Sequence, residues 1–181
     1  MYQGGGISNI TKGLLVTDWM NELGFSSFTV GNHEFDWGVE PLLDNINRAN
    51  FPFLGINIYS RSNSLKVDWL DSSLTVIKDG IKFGIIGSIG NCYNSILNSR
   101  VKDYYFVTGN ELTALVKEEA NRLRNEENCD YIIYSTHADY SEYDASISDG
   151  YVDLVFEGHS HQNYINTDTN NVLHLQTGGY N

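Results

Sequence analysis

Proline, cysteine, cationic residues and long apolar runs are all scarce in this 181-residue chain, and each scarcity removes a class of protein. Proline occurs twice, at Pro41 and Pro52, which excludes a proline-rich linker or stalk. Cysteine also occurs twice, at Cys92 and Cys129. Two are too few for the disulfide framework of small secreted domains, so both are read as free thiols. Eleven Lys and Arg stand against 23 Asp and Glu, a net charge of −12. That balance argues against a surface for the phosphate backbone of nucleic acid or for anionic lipid. No apolar run approaches the roughly 20 residues of a membrane-spanning helix. Residues 1–6, MYQGGG, have neither the basic start nor the apolar core of a signal peptide and resemble the middle of a loop.

What is present suffices for one domain with a real core: 41% of residues are hydrophobic and 13% aromatic. No internal repeat or low-complexity tract divides the chain. Helical spacing predicts a first helix over Thr11–Leu23, closed by Gly24, and a second over Val39–Asn50 with Pro41 in its first turn. The clearest helix is expected over Glu111–Glu127, with Asn110 as its N-cap. Strands are expected over Phe25–Val30, Phe53–Ile58, Tyr131–Tyr134, Val152–Phe156 and Val172–Gln176. Two more, Leu74–Ile77 and Ile81–Ile86, flank the hairpin signal Asp79-Gly80. Gly90–Arg100 reads as polar loop. Alternating strands and helices with one hairpin imply a layered α/β domain with a mixed sheet.

Four of the five histidines fall just after predicted strands: His33, His137, His159 and His161. In α/β sheets ligands gather beyond the carboxyl ends of strands. One such histidine is ordinarily a satisfied polar residue at a loop start; four in one acidic domain suggest a site. His174 lies within an alternating strand, on the face of Val172 and Gln176, and is read as structural. In Gly158-His159-Ser160-His161, an extended backbone would point both imidazoles the same way, toward two neighbouring metals. In Gly31-Asn32-His33-Glu34-Phe35-Asp36-Trp37-Gly38, Asn32 offers a neutral carbonyl ligand. His33 offers a general acid or a phosphoryl contact, and Asp36 an acceptor for its other ring N–H. By residue chemistry alone a glycine-bounded turn with Asn and Asp capping backbone groups explains that stretch equally well.

The octapeptide GNHEFDWG resembles the signature of the calcineurin-like metallophosphoesterases, in their 5′-nucleotidase branch. Residues 8–13 (SNITKG), Ser135-Thr136-His137, Glu157-Gly158-His159-Ser160-His161 and Gln176-Thr177-Gly178-Gly179 are similar, in order, to further motifs of that family. The resemblance implies a metallophosphatase-like four-layer αββα sandwich with mixed sheets. It implies that Asn32, His137 and His159 bind one divalent metal and His161 another, the pair being Zn, Mn or Fe. His33 would be the catalytic histidine and, with Asn32, would contact the substrate phosphate; Asp36 would orient His33. The implied reaction is hydrolysis of a phosphate ester or nucleotide, of 5′-nucleotidase or 2′,3′-cyclic phosphodiesterase type, by attack of metal-bound hydroxide. No nucleic-acid polymer is implied as a partner. The branch is mostly exported, which implies an extracellular or cell-envelope location.

The chain departs from the pattern at both ends. The family's aspartate-x-histidine and glycine-aspartate motifs would precede Met1, so the first strand segment of the sandwich is expected to be lacking. The family's nucleoside-binding domain would follow Asn181, so residues 1–181 are read as a partial catalytic domain. Without the bridging carboxylate, one metal or none is expected to bind well. The sheet edge left open would favour strand exchange between two copies. A second reading follows: a catalytically inactive remnant that serves as a binding or interaction module.

Overall fold

The computed structural model describes Tyr2 and residues 5–179. The helices are α1 (Gly6–Thr11), α2 (Leu14–Leu23), α3 (Val39–Arg48) and α4 (Gly109–Asn125). The strands are β1 (Phe28–Thr29), β2 (Phe53–Leu54), β3 (Ile58–Ser60), β4 (Ser73–Lys78), β5 (Ile81–Ile89) and β6 (Tyr104–Phe106), followed by β7 (Tyr131–His137), β8 (Leu154–Glu157), β9 (Tyr164–Thr167) and β10 (Leu173–Gln176).

Six strands form one mixed sheet in the order β4-β5-β7-β8-β10-β9. Its four central strands run parallel, and β4 and β9 close the two edges antiparallel. The β4–β5 hairpin turns at Asp79 (φ 53°) and Gly80 (φ 83°), the double left-handed turn that an Asp-Gly pair favours. Helix α4 covers one face of this sheet, packing Val116, Ala120 and Leu123 with Ile132, Tyr134 and Val155. The other face meets the parallel pair β1–β2, backed in turn by α2 and α3. A second core of Met20, Val30, Phe35, Leu42, Phe53 and their neighbours fills that side. The layers therefore run helix, sheet, sheet, helix, the αββα order expected.

The expected first helix, Thr11–Leu23, starts later, as α2 at Leu14, and a short helix that was not foreseen, α1, precedes it. Lys12 (φ 49°) and Gly13 (φ 89°) adopt left-handed backbone between α1 and α2. Buried Asn45 on α3 holds this break, donating to the Lys12 carbonyl at 2.7 Å and accepting from the Thr17 hydroxyl at 2.6 Å. The Thr17 hydroxyl in turn pairs with the Tyr2 hydroxyl at 2.7 Å. Helix α4 begins earlier than expected, at Gly109, with Thr108 rather than Asn110 as the flanking residue. The run Phe53–Ile58 splits into β2 and the start of β3, because Gly55 and Ile56 turn their amides toward Asp71 and Gly87. Strands β6 and β9 were not foreseen; their tyrosine-rich and Asn/Thr-rich sequences lack clear alternation. The expected loop Gly90–Arg100 carries two 3-10 turns, Asn91–Ser95 and Asn98–Arg100.

His174 is structural, as expected, and fully buried. Its Nδ1 lies 3.1 Å from Glu157 and its Nε2 3.4 Å from Asp168, with the rings of Tyr140 and Tyr143 edge-on. Tyr164 also donates to Glu157 and Ser148 to Asp168, so both buried carboxylates are multiply satisfied.

The two sheets approach closely at Gly87 on β5. A Cβ there would lie 2.2 Å from the Leu54 Cβ and 3.1 Å from the Leu54 carbonyl carbon. Gly87→Ala is therefore expected to force β2 off β5 and cost about 1–3 kcal/mol, the usual cost of overpacking a core. The urea midpoint of the variant measures it; an unchanged midpoint would show that the sheets slide freely past each other.

Candidate active site

The GNHEFDWG segment leaves β1 and turns at once into a short 3-10 helix, His33–Phe35. Buried Glu34 folds back and accepts the Gly31 N–H at 2.6 Å, which closes the turn. Burial holds the Glu34 carboxyl above the usual carboxylate range. The half-exposed His33 donates from Nδ1 to Asp36 at 2.8 Å, which leaves Nε2 as the nitrogen open to a ligand. The orienting contact expected for Asp36 is present.

Asn32 is 5% exposed. Its amide donates to the Ser95 hydroxyl at 2.9 Å, and its Oδ1 accepts from His137 Nε2 at 3.0 Å. His137 does not follow its strand, as the sequence suggested, but ends it: β7 runs on through His137, paired with Ile89. Strand alternation then decides its direction. Tyr134, Thr136 and Ala138 are buried on the α4 side, while Ser135 and His137 face β1, where Thr29 donates to Ser135 at 2.8 Å. Gly31 and Gly158 press on the His137 ring from two elements; a Cβ at either would lie 2.6 Å or 2.9 Å from ring atoms.

The GHSH segment is not extended. His159 (φ 84°) and His161 (φ 57°) both adopt left-handed backbone, so the two imidazoles do not share a direction by strand alternation. His159 lies beside His137, ring centroids 5.5 Å apart. His161 is exposed and packs against Gly179. Gln176 on β10 clasps this loop. Its Oε1 accepts from the Ser160 hydroxyl at 2.8 Å and the Gln162 N–H at 2.9 Å, and its Nε2 donates to the Gly158 carbonyl at 3.2 Å.

The structure thus brings Asn32, His137 and His159 together and sets His33 with Asp36 on the adjoining turn; His161 is exposed, two residues beyond His159. The sequence reading missed Cys92. It sits 6% exposed in the turn Asn91–Ser95, and its sulfur lies with ring nitrogens of His137 and His159 inside a mutual 4.8 Å. Its only sequence signal was a polar neighbourhood, NCYN. Glu34 and Gln176 lay inside motifs quoted for the resemblance and Ser95 in none; the bracing contacts of all three were missed, because each acts through a contact distant in sequence or through the backbone.

The donor chemistry fits a divalent cation. Burial, helped by the neighbouring His159 and His33, pushes the His137 imidazole down to about 4, so it is neutral with a free lone pair at pH 7. Imidazole and amide oxygen together suit borderline metals such as Zn²⁺.

No protein-family model matches the chain. Among curated proteins it is 34% identical to a bovine 5′-nucleotidase over 164 residues, covering 88% of this chain and 28% of the relative. It is 30% identical to an apyrase of Tabanus yao over 162 residues, with the same coverage of each. Among solved structures, a 5′-nucleotidase precursor from Thermus thermophilus superposes with a TM-score of 0.76 at 22% identity over 95% of this chain and 36% of that one. The calcineurin-like phosphoesterase YfkN of Bacillus subtilis gives 0.67 at 20% identity over 89% and 56%. The sandwich is therefore that of the calcineurin-like phosphoesterases. The chain belongs to their 5′-nucleotidase branch, and it spans just over a quarter of the length of those two curated relatives.

Gln176→Leu keeps the side-chain bulk and removes all three contacts to the GHSH loop. The Gln162 amide should then exchange with solvent about five- to tenfold faster by NMR, equivalent to the roughly 1 kcal/mol net of one hydrogen bond. Unchanged exchange at Gln162 would show that the loop holds itself.

Proposed function

We propose that this chain is the metal-binding part of a phosphoester hydrolase that acts on nucleotides or related phosphate esters. The observation that carries the reading is the convergence of Asn32 from the β1 turn, His137 from the end of β7 and His159 from the turn after β8. The sequence identity to 5′-nucleotidase and apyrase supports the substrate class.

Asn32, His137 and His159 would hold one divalent cation, and His161 would reach toward a second. When bound, such cations supply Lewis acidity toward phosphoryl oxygens and lower the pKa of water. Asn32 has its amide turned to Ser95, so its carbonyl oxygen is the atom offered to the site. His33, with Nδ1–H tied to Asp36, holds a proton at Nε2 and passes it to the leaving oxygen as the ester bond breaks. The Nε2–H donor also answers the negative charge that develops on the phosphoryl group. Asp36 contributes by keeping the ring in one tautomer and one orientation.

Residues 1–181 are read as part of a catalytic domain, and nucleoside selection belongs to the whole protein. Export to the cell envelope or beyond, expected from the resemblance, is part of the same proposal. Among the described residues no helix is long and apolar enough to cross a membrane.

The test is hydrolysis of AMP and of bis-p-nitrophenyl phosphate by the chain, with Zn²⁺ or Mn²⁺ and then with a chelator. His33→Ala is expected to lower kcat by about 10²–10⁴-fold, the usual contribution of one general acid, with little change in metal content. Chelation should abolish turnover reversibly. Turnover indifferent to chelator would overturn the metal-dependent mechanism; turnover indifferent to His33→Ala would overturn the assignment of the acid. Wild-type chain that takes up metal but turns over neither ester would favour the non-catalytic binding module.

A further inference from the structure

Among the described residues, the thiol of Cys92 forms one group of possible metal ligands with ring nitrogens of His137 and His159. We infer that Cys92 is a thiolate ligand, completing with His137 and His159 a centre for a thiophilic divalent cation, Zn²⁺ in preference to Mg²⁺ or Mn²⁺. The inference rests on the metal-site reading above and adds to it a ligand and a metal preference.

Three observations carry it. The sulfur and ring nitrogens of the two histidines already lie within 4.8 Å of one another, the scale of a single coordination sphere. The turn that presents Cys92 also aims Asn32. The Ser95 hydroxyl donates to the Cys92 carbonyl at 2.7 Å and accepts from the Asn32 amide at 2.9 Å, so thiol and amide oxygen are set by one piece of backbone.

Third, the thiol is free to leave its present partner. It donates to the His137 carbonyl at 3.0 Å, but that carbonyl also accepts the Gly90 N–H at 3.0 Å and stays satisfied when the thiol turns away. On coordination the S–H bond breaks, its proton goes to solvent, and the sulfur lone pair forms the bond to the metal. The thiolate brings one negative charge to the cation. Thiolate with imidazole selects Zn²⁺ and Co²⁺ over the oxygen-seeking Mg²⁺ and Mn²⁺. Among the described residues Cys129 belongs to no such group; it is buried against Gly84 under the α4 core.

The experiment is titration of the reduced chain with Co²⁺, followed by near-ultraviolet absorption, with Zn²⁺ affinity measured by calorimetry. The wild type and Cys129→Ala should both develop a sulfur-to-cobalt charge-transfer band, and Cys92→Ala should lack it. Zn²⁺ affinity should fall in Cys92→Ala by at least the 10–100-fold that even outer-sphere partners cost. Bound Zn²⁺ should protect Cys92 from alkylation, read by mass spectrometry, and millimolar Mg²⁺ should not. If the wild type binds Co²⁺ in a His137-dependent manner with no charge-transfer band, Cys92 is not a ligand and the metal-site reading survives. If the wild type takes up neither Co²⁺ nor Zn²⁺, both readings fall. Should the alanine variant misfold by circular dichroism, the wild-type band alone decides.

Discussion

The site depends on how closely two backbones approach one imidazole. Gly31, at the exit of β1, and Gly158, at the exit of β8, both rest against the His137 ring at distances no Cβ tolerates. Three strand ends distant in sequence are thereby drawn to a single point. Glu34 closes the first turn over Gly31, and Gln176 clasps the second around Gly158. The ring is immobilised sterically, and its Nε2 contact to Asn32 then sets which nitrogen carries the proton. A cation that displaces that proton would find both donors already facing each other.

Beneath the outer loop lies a polar layer that an apolar core would not need. His174 sits between Glu157 and Asp168 with no solvent exposure, and Tyr164, Ser148, Tyr140 and Tyr143 surround them. Buried ionisable groups are costly unless their partners are in place, and such clusters are retained where register matters. Glu157 immediately precedes the GHSH turn, so the cluster fixes where β8 stops and the turn begins. Two left-handed histidines in three residues carry backbone strain that this anchoring sustains.

Much of the fold was legible in the chain. The Asp79-Gly80 hairpin, the parallel strands and the long helix α4 follow from local turn chemistry and apolar periodicity, which operate within a few residues. The break between α1 and α2 had a local signal in Gly13 that the reading passed over; Asn45, 33 residues away, holds it by donating to the Lys12 carbonyl. Strands β6 and β9 exist because neighbouring strands supply their hydrogen bonds. The GHSH turn was misread as extended because its clasp, Gln176, lies on another strand.

The sequence alone determined the ingredients: an acidic α/β domain, histidines at strand ends, and motif spacing that resembles one family of phosphoesterases. Those are one-dimensional properties, carried by residue identity and order. Tertiary structure decided which ingredients meet. It turned His137 toward β1 by continuing β7 one residue at a time with alternating faces, gave His159 and His161 left-handed backbone, and placed a thiol that the linear pattern ignored beside two imidazoles. Those outcomes depend on strand register and on contacts as much as 106 residues apart, for which no local pattern exists.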